Sequence, residues 1–157
     1  MTVRPIRLCR IVTAPITFKM LFWGQLRYLS QQGFEITLVS SPGPELEEVA
    51  RGLGVSYHAI EMVRVPSPWR DLKSLFVLTR WLRTQRFDII HSSTPKAGLL
   101  AALAGAVCRV PVRVHTYTGQ VWTEMHGLSR TIIKVMDAII GRCSTYCLTD
   151  SAYNTGF

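Results

Sequence analysis

The sequence predicts an α/β domain with a Rossmann-like parallel sheet of about six strands and helices on both faces. Short apolar runs such as Phe87-Asp-Ile-Ile90 alternate with longer helical segments along the chain, an order typical of parallel sheets. The run at Phe87 leads through a polar turn to Thr94-Pro95 and a small, uncharged helix. Threonine is a favoured N-cap residue and proline suits the first helical position. We therefore expect a strand that passes directly into a helix at this junction.

The other elements follow in order, without repeats or low-complexity stretches. Gly33 is placed to end the first helix, and Gly52 and Gly54 to end the second. Three glutamates from Glu45 to Glu48 put favourable negative charge into the first turn of that second helix. The predicted strands are 6–12, 34–40, 55–62, 87–91, 110–116 and 145–149, and the predicted helices are about 18–32, 45–52, 69–84, 95–106 and 128–141.

Length and composition predict one folded domain covering 1–157. The chain has 157 residues, 48% of them hydrophobic, which is enough for one real core. Its net charge of +8 predicts an anionic partner: nucleic acid, an anionic membrane surface or a phosphorylated ligand. Recognisable nucleic-acid motifs are absent from the sequence, so we expect no nucleic acid partner. No signal-peptide pattern and no apolar run long enough to span a bilayer occur in the sequence, which favours a cytoplasmic protein.

The cysteines and the turns restrict the possible cofactors. The four cysteines lack metal-binding spacing, and we expect them to be free thiols: Cys9, Cys108, Cys143 and Cys147. The turn after the first strand, Thr13-Ala-Pro-Ile-Thr17, has no glycine, whereas a dinucleotide site needs glycines there. Ser40-Ser41 replaces the acidic residue expected after the second strand. Neither a dehydrogenase nor an epimerase of that type is favoured, and we predict no cofactor and no metal.

Lys96 is the unusual residue of the strand–helix junction. A cation in a first helical turn lies at the positive end of the helix dipole. Such a lysine is reasonable if an anion binds there, since a helix N-terminus already offers N–H groups to phosphate. The alternative is a side chain that bends away into water.

The third helix has two different faces. A predicted core stripe runs along one side: Leu72, Leu75, Leu78, Thr79 and Leu82. Arg70, Lys73, Arg80 and Trp81 project from the other side, a pattern typical of helices that lie on an anionic membrane. A merely solvated basic face is the alternative. The first helix adds basic and aromatic residues to the same interpretation: Phe18, Lys19, Phe22, Trp23 and Arg27.

Two stretches carry a family resemblance. Asp88-Ile-Ile-His91-x-x-Thr94-Pro-Lys96-Ala-Gly98 and Val110-Pro-Val-Arg-Val-His115-Thr-Tyr-Thr-Gly-Gln120-Val-Trp122 resemble the N-terminal domain of family 4 glycosyltransferases, which assemble bacterial capsule, O-antigen and exopolysaccharide. The resemblance covers essentially the whole chain. It implies one half of a GT-B fold, in which this half mostly receives the acceptor. It also implies sugar transfer from a nucleotide sugar with retention of configuration, generally without a metal, to an acceptor that is often linked to a polyprenyl diphosphate.

The resemblance also implies roles for individual residues. His115 would face the reacting sugar, His91 would bind a sugar or order its turn, and Lys96 would contact a phosphate. Many relatives have a second histidine where this chain has Ser93. The remaining candidates lie in the turns, and an ordinary polar turn is the alternative for them: Thr13, Thr17, Thr94, Thr116, Thr118, Gly119 and Gln120. Asp150 and Ser151 end the last strand.

We thus expect the acceptor-binding domain of a retaining glycosyltransferase, peripheral at the inner face of the plasma membrane. The family's donor-binding domain, with its paired glutamates, would lie after Phe157, and the chain looks cut short. Alone, it should not catalyse transfer. The alternative is a non-catalytic fragment or binding module that needs a separate donor-domain polypeptide.

Overall fold

The computed structural model describes residues 4–63, 67–118 and 126–149. Six parallel strands form one sheet in the order β3-β2-β1-β4-β5-β6, which confirms the predicted fold class. The strands are β1 Arg7–Ile11, β2 Glu35–Ser40, β3 Ser56–Ala59, β4 Ile89–Ser93, β5 Val112–Tyr117 and β6 Tyr146–Thr149, and the helices are α1 Trp23–Gln31, α2 Pro44–Leu53, α3 Pro68–Gln85, α4 Pro95–Val107 and α5 Gly127–Cys143, with a π-helical turn Phe18–Phe22 before α1.

Alternate side chains of β1 enter two separate cores. Leu8 and Val12 pack with Phe18, Phe22 and Leu26 on the face covered by α1 and α2. Cys9 and Ile11 pack instead with core residues of α3 and α4. Because successive side chains of a strand point to opposite faces, this division identifies the face of the sheet on which any residue of β1 lies.

The first predicted helix is divided in the structure. Residues 18–22 form the π-helical turn, and α1 follows. Phe18 and Phe22 are 0% and 8% exposed, so the prediction that these two rings belong to a membrane surface is wrong. They are core residues because the turn presses them against β1.

Strand β3 is shorter than the predicted segment 55–62. It ends at Ala59, and Ile60 and Met62 then turn into the core between the sheet and α3. The hydroxyl of Ser41 binds both the N–H and the carbonyl of Met62, at 2.9 and 2.8 Å. The side chain of Ser41 thus satisfies the backbone groups that a longer strand would have paired.

Helix α3 corrects two predictions about its faces. Trp81 is half-buried rather than membrane-facing: its ring stacks on His58, with centroids 4.5 Å apart, and also contacts Phe87. Leu72, predicted for the core, is 58% exposed, because it lies about 120° around the helix from the buried Leu78. No helix within the described ranges is long and apolar enough to cross a membrane.

Candidate functional site

The predicted polar turns meet at the carboxyl edge of the sheet, where β1 and β4 lie side by side. The helices that follow these two strands lie on opposite faces, which makes this a topological switch point, the usual ligand position in such sheets. Thr13 follows β1 and Thr94 follows β4. Their hydroxyl oxygens are 2.9 Å apart, and the backbone N–H of Thr13 donates to the Thr94 hydroxyl at 3.2 Å.

Thr94 has a strained backbone. Its φ is +111°, in a region that a β-branched residue rarely adopts. It stands at the N-cap position of α4, but its side chain makes no capping hydrogen bond, because the hydroxyl is engaged with Thr13. The sequence prediction of a capping threonine is therefore right in position and wrong in its contact. Strain of this kind concentrates at functional sites.

His91 is held in a buried polar network. Its Nε2 lies 2.8 Å from the Thr116 hydroxyl. On the neighbouring strand Arg10, 0% exposed, donates to the His91 carbonyl at 3.1 Å and to the Ser93 hydroxyl at 2.8 Å. Burial, then the charge of Arg10 and the neighbouring His115, lower the pKa of His91 from 6.5 to about 3. The imidazole is therefore neutral at physiological pH.

His115 lies beneath helix α4 and is only 2% exposed. Its Nδ1 is 2.9 Å from the Ser92 hydroxyl, and its ring meets Tyr117 edge-on at 4.6 Å. A Cβ at Gly98 would come within 2.4 Å of its ring, so glycine at this position admits the imidazole. Burial, then the charge of Arg10, lower the pKa of His115 to about 4. The structure thus places the predicted sugar-facing ring inside the domain, with one side bordering a small polar pocket.

Lys96 is paired within the domain. Its Nζ lies 2.8 Å from Oδ1 of Asp71 in the first turn of α3, and the lysine is 8% exposed. Asp71 also accepts from the N–H of Ser67 at 3.1 Å, while its own N–H donates to the Ser67 carbonyl at 2.8 Å. Asp71 therefore compensates the unfavourable position of Lys96 at the helix dipole and joins the starts of α3 and α4.

The remaining candidates fall into three groups. Thr116 and Thr118 border the small pocket together with Thr94, His115 and Asp137, and this pocket is large enough only for about one hydroxyl-sized group. Thr17 begins the π-helical turn and makes no capping contact with its side chain. Four residues lie outside the described residues: Gly119, Gln120, Asp150 and Ser151.

Sequence reasoning missed Arg10 and Asp71. For Arg10, the signal in the sequence was its position inside the apolar run Leu8-Cys-Arg-Ile-Val12, since a buried charge needs specific partners. For the second, the signal was an acidic residue in the first helical turn. Across the described part of the chain, no group of three or more His, Cys, Asp or Glu could hold a metal ion.

Comparison with solved structures identifies the fold. MurG of Acinetobacter baumannii aligns with a TM-score of 0.66 at 15% identity, over 92% of this chain and 41% of that one. HepE of Anabaena, solved with UDP and glucose, aligns at 0.65 and 9% identity, over 90% and 37%. A UDP-N-acetylglucosamine 2-epimerase aligns at 0.68 and 13%, over 94% and 42%. The chain has the Rossmann-like architecture of one half of a GT-B fold.

Sequence comparison gives the family. The model of the glycosyl transferase 4-like domain matches residues 22–152, and the chain belongs to this family. The capsular polysaccharide biosynthesis glycosyltransferase CapM of Staphylococcus aureus is 30% identical over 122 residues, 78% of this chain and 31% of that protein. The UDP-Gal:α-D-GlcNAc-diphosphoundecaprenol α-1,3-galactosyltransferase of Escherichia coli is 25% identical over 77% of this chain and 32% of that protein. The chain thus spans about a third of the length of these relatives.

Proposed function

We propose that this chain is the acceptor-binding domain of a retaining glycosyltransferase that acts in cell-surface polysaccharide synthesis. It would receive a lipid-linked glycan acceptor, while a nucleotide-sugar donor would be bound mainly by a second domain. The main observation behind the proposal is a cluster of side-chain hydroxyls at the switch point, contributed by Thr13, Thr94 and Thr116. Hydroxyls suit sugar recognition because each both donates and accepts hydrogen bonds.

The relatives favour this substrate class. The E. coli relative is named for transfer to a diphosphate-linked, lipid-borne sugar, and the S. aureus relative for capsule synthesis. Retention of configuration and independence of metal come from the family resemblance. We keep His115 as the proposed catalytic residue but change its role. A buried, neutral imidazole can hold the Ser92 side chain and the wall of the small pocket in position. Any contact between His115 and the sugar would be made through that pocket.

The proposed membrane surface is the outer face of α3, with a different tryptophan from the one predicted. Trp69, Leu72 and Phe76 are 84%, 58% and 65% exposed and project on one side of the helix. Exposed basic residues lie among them: Arg70, Lys73, Arg80 and Arg83. Apolar rings within a basic face are the pattern of helices that rest on anionic lipid, and such contact would bring the carboxyl edge near a membrane-borne acceptor.

A direct experiment is ligand-observed NMR of the chain with a soluble diphosphate-linked N-acetylglucosamine. We expect saturation transfer to the sugar that Thr13→Val together with Thr94→Val reduces several-fold. No transfer to the sugar in the wild-type chain would contradict the acceptor-binding role. Reading the DNA downstream of the Phe157 codon separates the two versions of the proposal, because a frame with the E-x7-E spacing favours the enzyme and its absence favours a non-catalytic binding module.

A further inference from the structure

A groove lies between helices α1 and α2, on the face of the sheet opposite α3 and α4. Its volume is about 390 Å³, within the range of about 300–1,000 Å³ that is typical of ligand clefts. Helix α1 contributes four of the lining residues and the end of α2 contributes two: Trp23, Arg27, Ser30, Gln31, Gly52 and Leu53. None of these residues belongs to the hydroxyl cluster at the switch point.

The groove and the carboxyl edge lie at opposite ends of α2. This helix begins beside the turn after β1, where a Cβ at Gly43 would come within 2.8 Å of Pro15. It then runs for ten residues, Pro44–Leu53, a length of about 15 Å. Because Gly52 and Leu53 are its last residues, the groove is a second site and not an extension of the switch point.

Trp23 forms an aromatic wall of the groove. The residue is 36% exposed, and a Cβ at Gly52 would come within 2.7 Å of its six-membered ring. Glycine at position 52 therefore lets the indole pack closely against α2 while part of the residue stays exposed. An exposed indole suits a sugar, because the C–H groups of a pyranose ring carry a slight positive charge and pack on the electron-rich face of an aromatic ring.

Three polar side chains lie on the same side of α1 as this tryptophan. Arg27, Ser30 and Gln31 follow Trp23 by four, seven and eight residues, the spacing of one helix face. Within the part of the chain that the structure describes, these three side chains make no hydrogen bond and no ion pair. Their guanidinium, hydroxyl and amide groups are therefore available to a ligand in the groove.

Arg27 gives the groove its charge. The other cations of the π-helical turn, α1 and α2 are paired with glutamates, Lys19 with Glu48 and Arg51 with Glu47. Among the described residues that line the groove, none is acidic. A guanidinium group binds a carboxylate through two parallel hydrogen bonds, so the groove fits a ligand that carries a carboxylate.

We propose that this groove binds an acidic sugar unit of a glycan chain. The pyranose ring would pack on Trp23, its carboxylate would pair with Arg27, and its hydroxyls would form hydrogen bonds with Ser30 and Gln31. The groove would thus hold a glycan at a site of its own, away from the carboxyl edge. This inference does not rest on the proposed transferase role, because it uses other residues at the other end of α2.

Calorimetric titration of the 157-residue chain with trigalacturonate tests the groove. Trp23→Ala and Arg27→Gln should each lower the affinity at least five-fold, and urea unfolding checks that both variants remain folded. Gly52→Ala should also lower it at least two-fold, because the added Cβ displaces the Trp23 ring. Tyr28→Ser, an exposed residue of α1 outside the groove, is the matched control and should bind as wild type does. No binding to wild type, or equal binding by wild type and Trp23→Ala, would overturn the proposal.

Competing probes test the chemistry and the place of binding. Neutral maltotriose should bind wild type at least five-fold more weakly than trigalacturonate does, and Arg27→Gln should remove this difference. Inorganic phosphate that displaces trigalacturonate at equal concentration would overturn the proposal, since the groove would then be a simple anion site. Displacement by phosphatidylglycerol vesicles would do so as well, because a membrane would be the occupant. Affinity that Lys96→Met loses and Arg27→Gln keeps would show that the sugar binds at the carboxyl edge instead.

Discussion

The hydroxyls of Thr13 and Thr94 meet 2.9 Å apart at the carboxyl edge and hold the turns after β1 and β4 together. Thr94 is the strained partner, with φ at +111°. The contact therefore stabilises a backbone conformation that threonine alone would avoid. It also fixes the spacing of the two turns between which a ligand would bind.

Two substitutions at Thr94 should separate strain from hydrogen bonding. Thr94→Val keeps the branched side chain but loses the hydroxyl, and the free energy of unfolding should fall by about 1 kcal/mol. Thr94→Gly loses the same hydroxyl but relieves about 1–3 kcal/mol of strain, less about 0.5–1 kcal/mol for the greater freedom of the unfolded chain. Urea unfolding should find the glycine variant the more stable of the two. The opposite order would show that the positive φ stores no strain.

Gly98 should tolerate no side chain, because a Cβ there would lie 2.4 Å from Cε1 of His115. Gly98→Ala should lower the free energy of unfolding by about 1–3 kcal/mol through overpacking, despite the better helix propensity of alanine. Gly24→Ala in α1 is the matched control, because nothing lies within 4 Å of a Cβ there; it should be neutral or stabilising by up to about 1 kcal/mol. Equal effects of the two substitutions would contradict the close approach of α4 to His115.

The elements that the sequence predicted well are those with strong local signals. The strand–turn–helix at residues 87–107 and the glycine caps at Gly33 and Gly54, both with positive φ, follow from short-range patterns. Thr13 and Thr94 were candidates of two separate turns, and their contact, which joins residues 81 positions apart, does not follow from any short-range pattern.

What the sequence could not predict depends on long-range packing. Trp81 looked like a surface residue from helical position alone, but His58 of the edge strand and Phe87 provide a partly buried site for its ring. The sequence predicted that Lys96 binds an anionic ligand, whereas in the structure it forms an ion pair with Asp71 on another helix. Neither partner can be identified from periodicity.

The two buried histidines should make the protein sensitive to mild acid. Their pKa values are lowered to about 3 for His91 and about 4 for His115, so the unfolded chain takes up protons near pH 6.5 while the folded protein does not. Their stabilising contribution is therefore complete above pH 6.5 and is lost as the pH falls toward 4. Each histidine should contribute a slope of up to about 1.4 kcal/mol per pH unit in this window.

Urea unfolding between pH 7.5 and 4.5 measures this slope. His91→Asn should take up about one proton fewer on unfolding and so lower the slope of the free energy of unfolding against pH, whatever its effect on stability at pH 7.5. If wild type and His91→Asn take up the same number of protons on unfolding, His91 is not held neutral in the folded protein.

The exposed rings of α3 should bind anionic lipid. In co-sedimentation with vesicles containing phosphatidylglycerol, Trp69→Ser together with Phe76→Ser should reduce the bound fraction several-fold, because these side chains are 84% and 65% exposed on the basic face. Salt should weaken the wild-type interaction, since each nearby cation adds about 1 kcal/mol that screening removes. Tyr28→Ser, 61% exposed on α1, is the control and should bind as wild type does. If the double variant still binds vesicles as wild type does, α3 is not the membrane-binding surface of the domain.

The ion pair of Lys96 and Asp71 should affect both the stability of the domain and the binding of a ligand. A double-mutant cycle measures its effect on stability. Each of Lys96→Met and Asp71→Asn leaves its partner in a partly buried site without its counter-charge, which should cost about 1–3 kcal/mol in urea unfolding. The double variant should cost less than the sum, with a coupling of at least about 0.5 kcal/mol.

Inorganic pyrophosphate then tests the anion site, because Asp71 competes with any phosphate for the same ammonium group 2.8 Å away. Asp71→Asn should tighten pyrophosphate binding measured by calorimetry, while Lys96→Met should abolish it and Lys73→Met, an exposed lysine on α3, should leave it unchanged. If Asp71→Asn and Lys96→Met bind pyrophosphate equally, the lysine serves only to join α3 to α4. If only Lys96→Met loses binding, the starts of α3 and α4 form an anion site in which Asp71 pairs with the Lys96 ammonium group until a diphosphate displaces it.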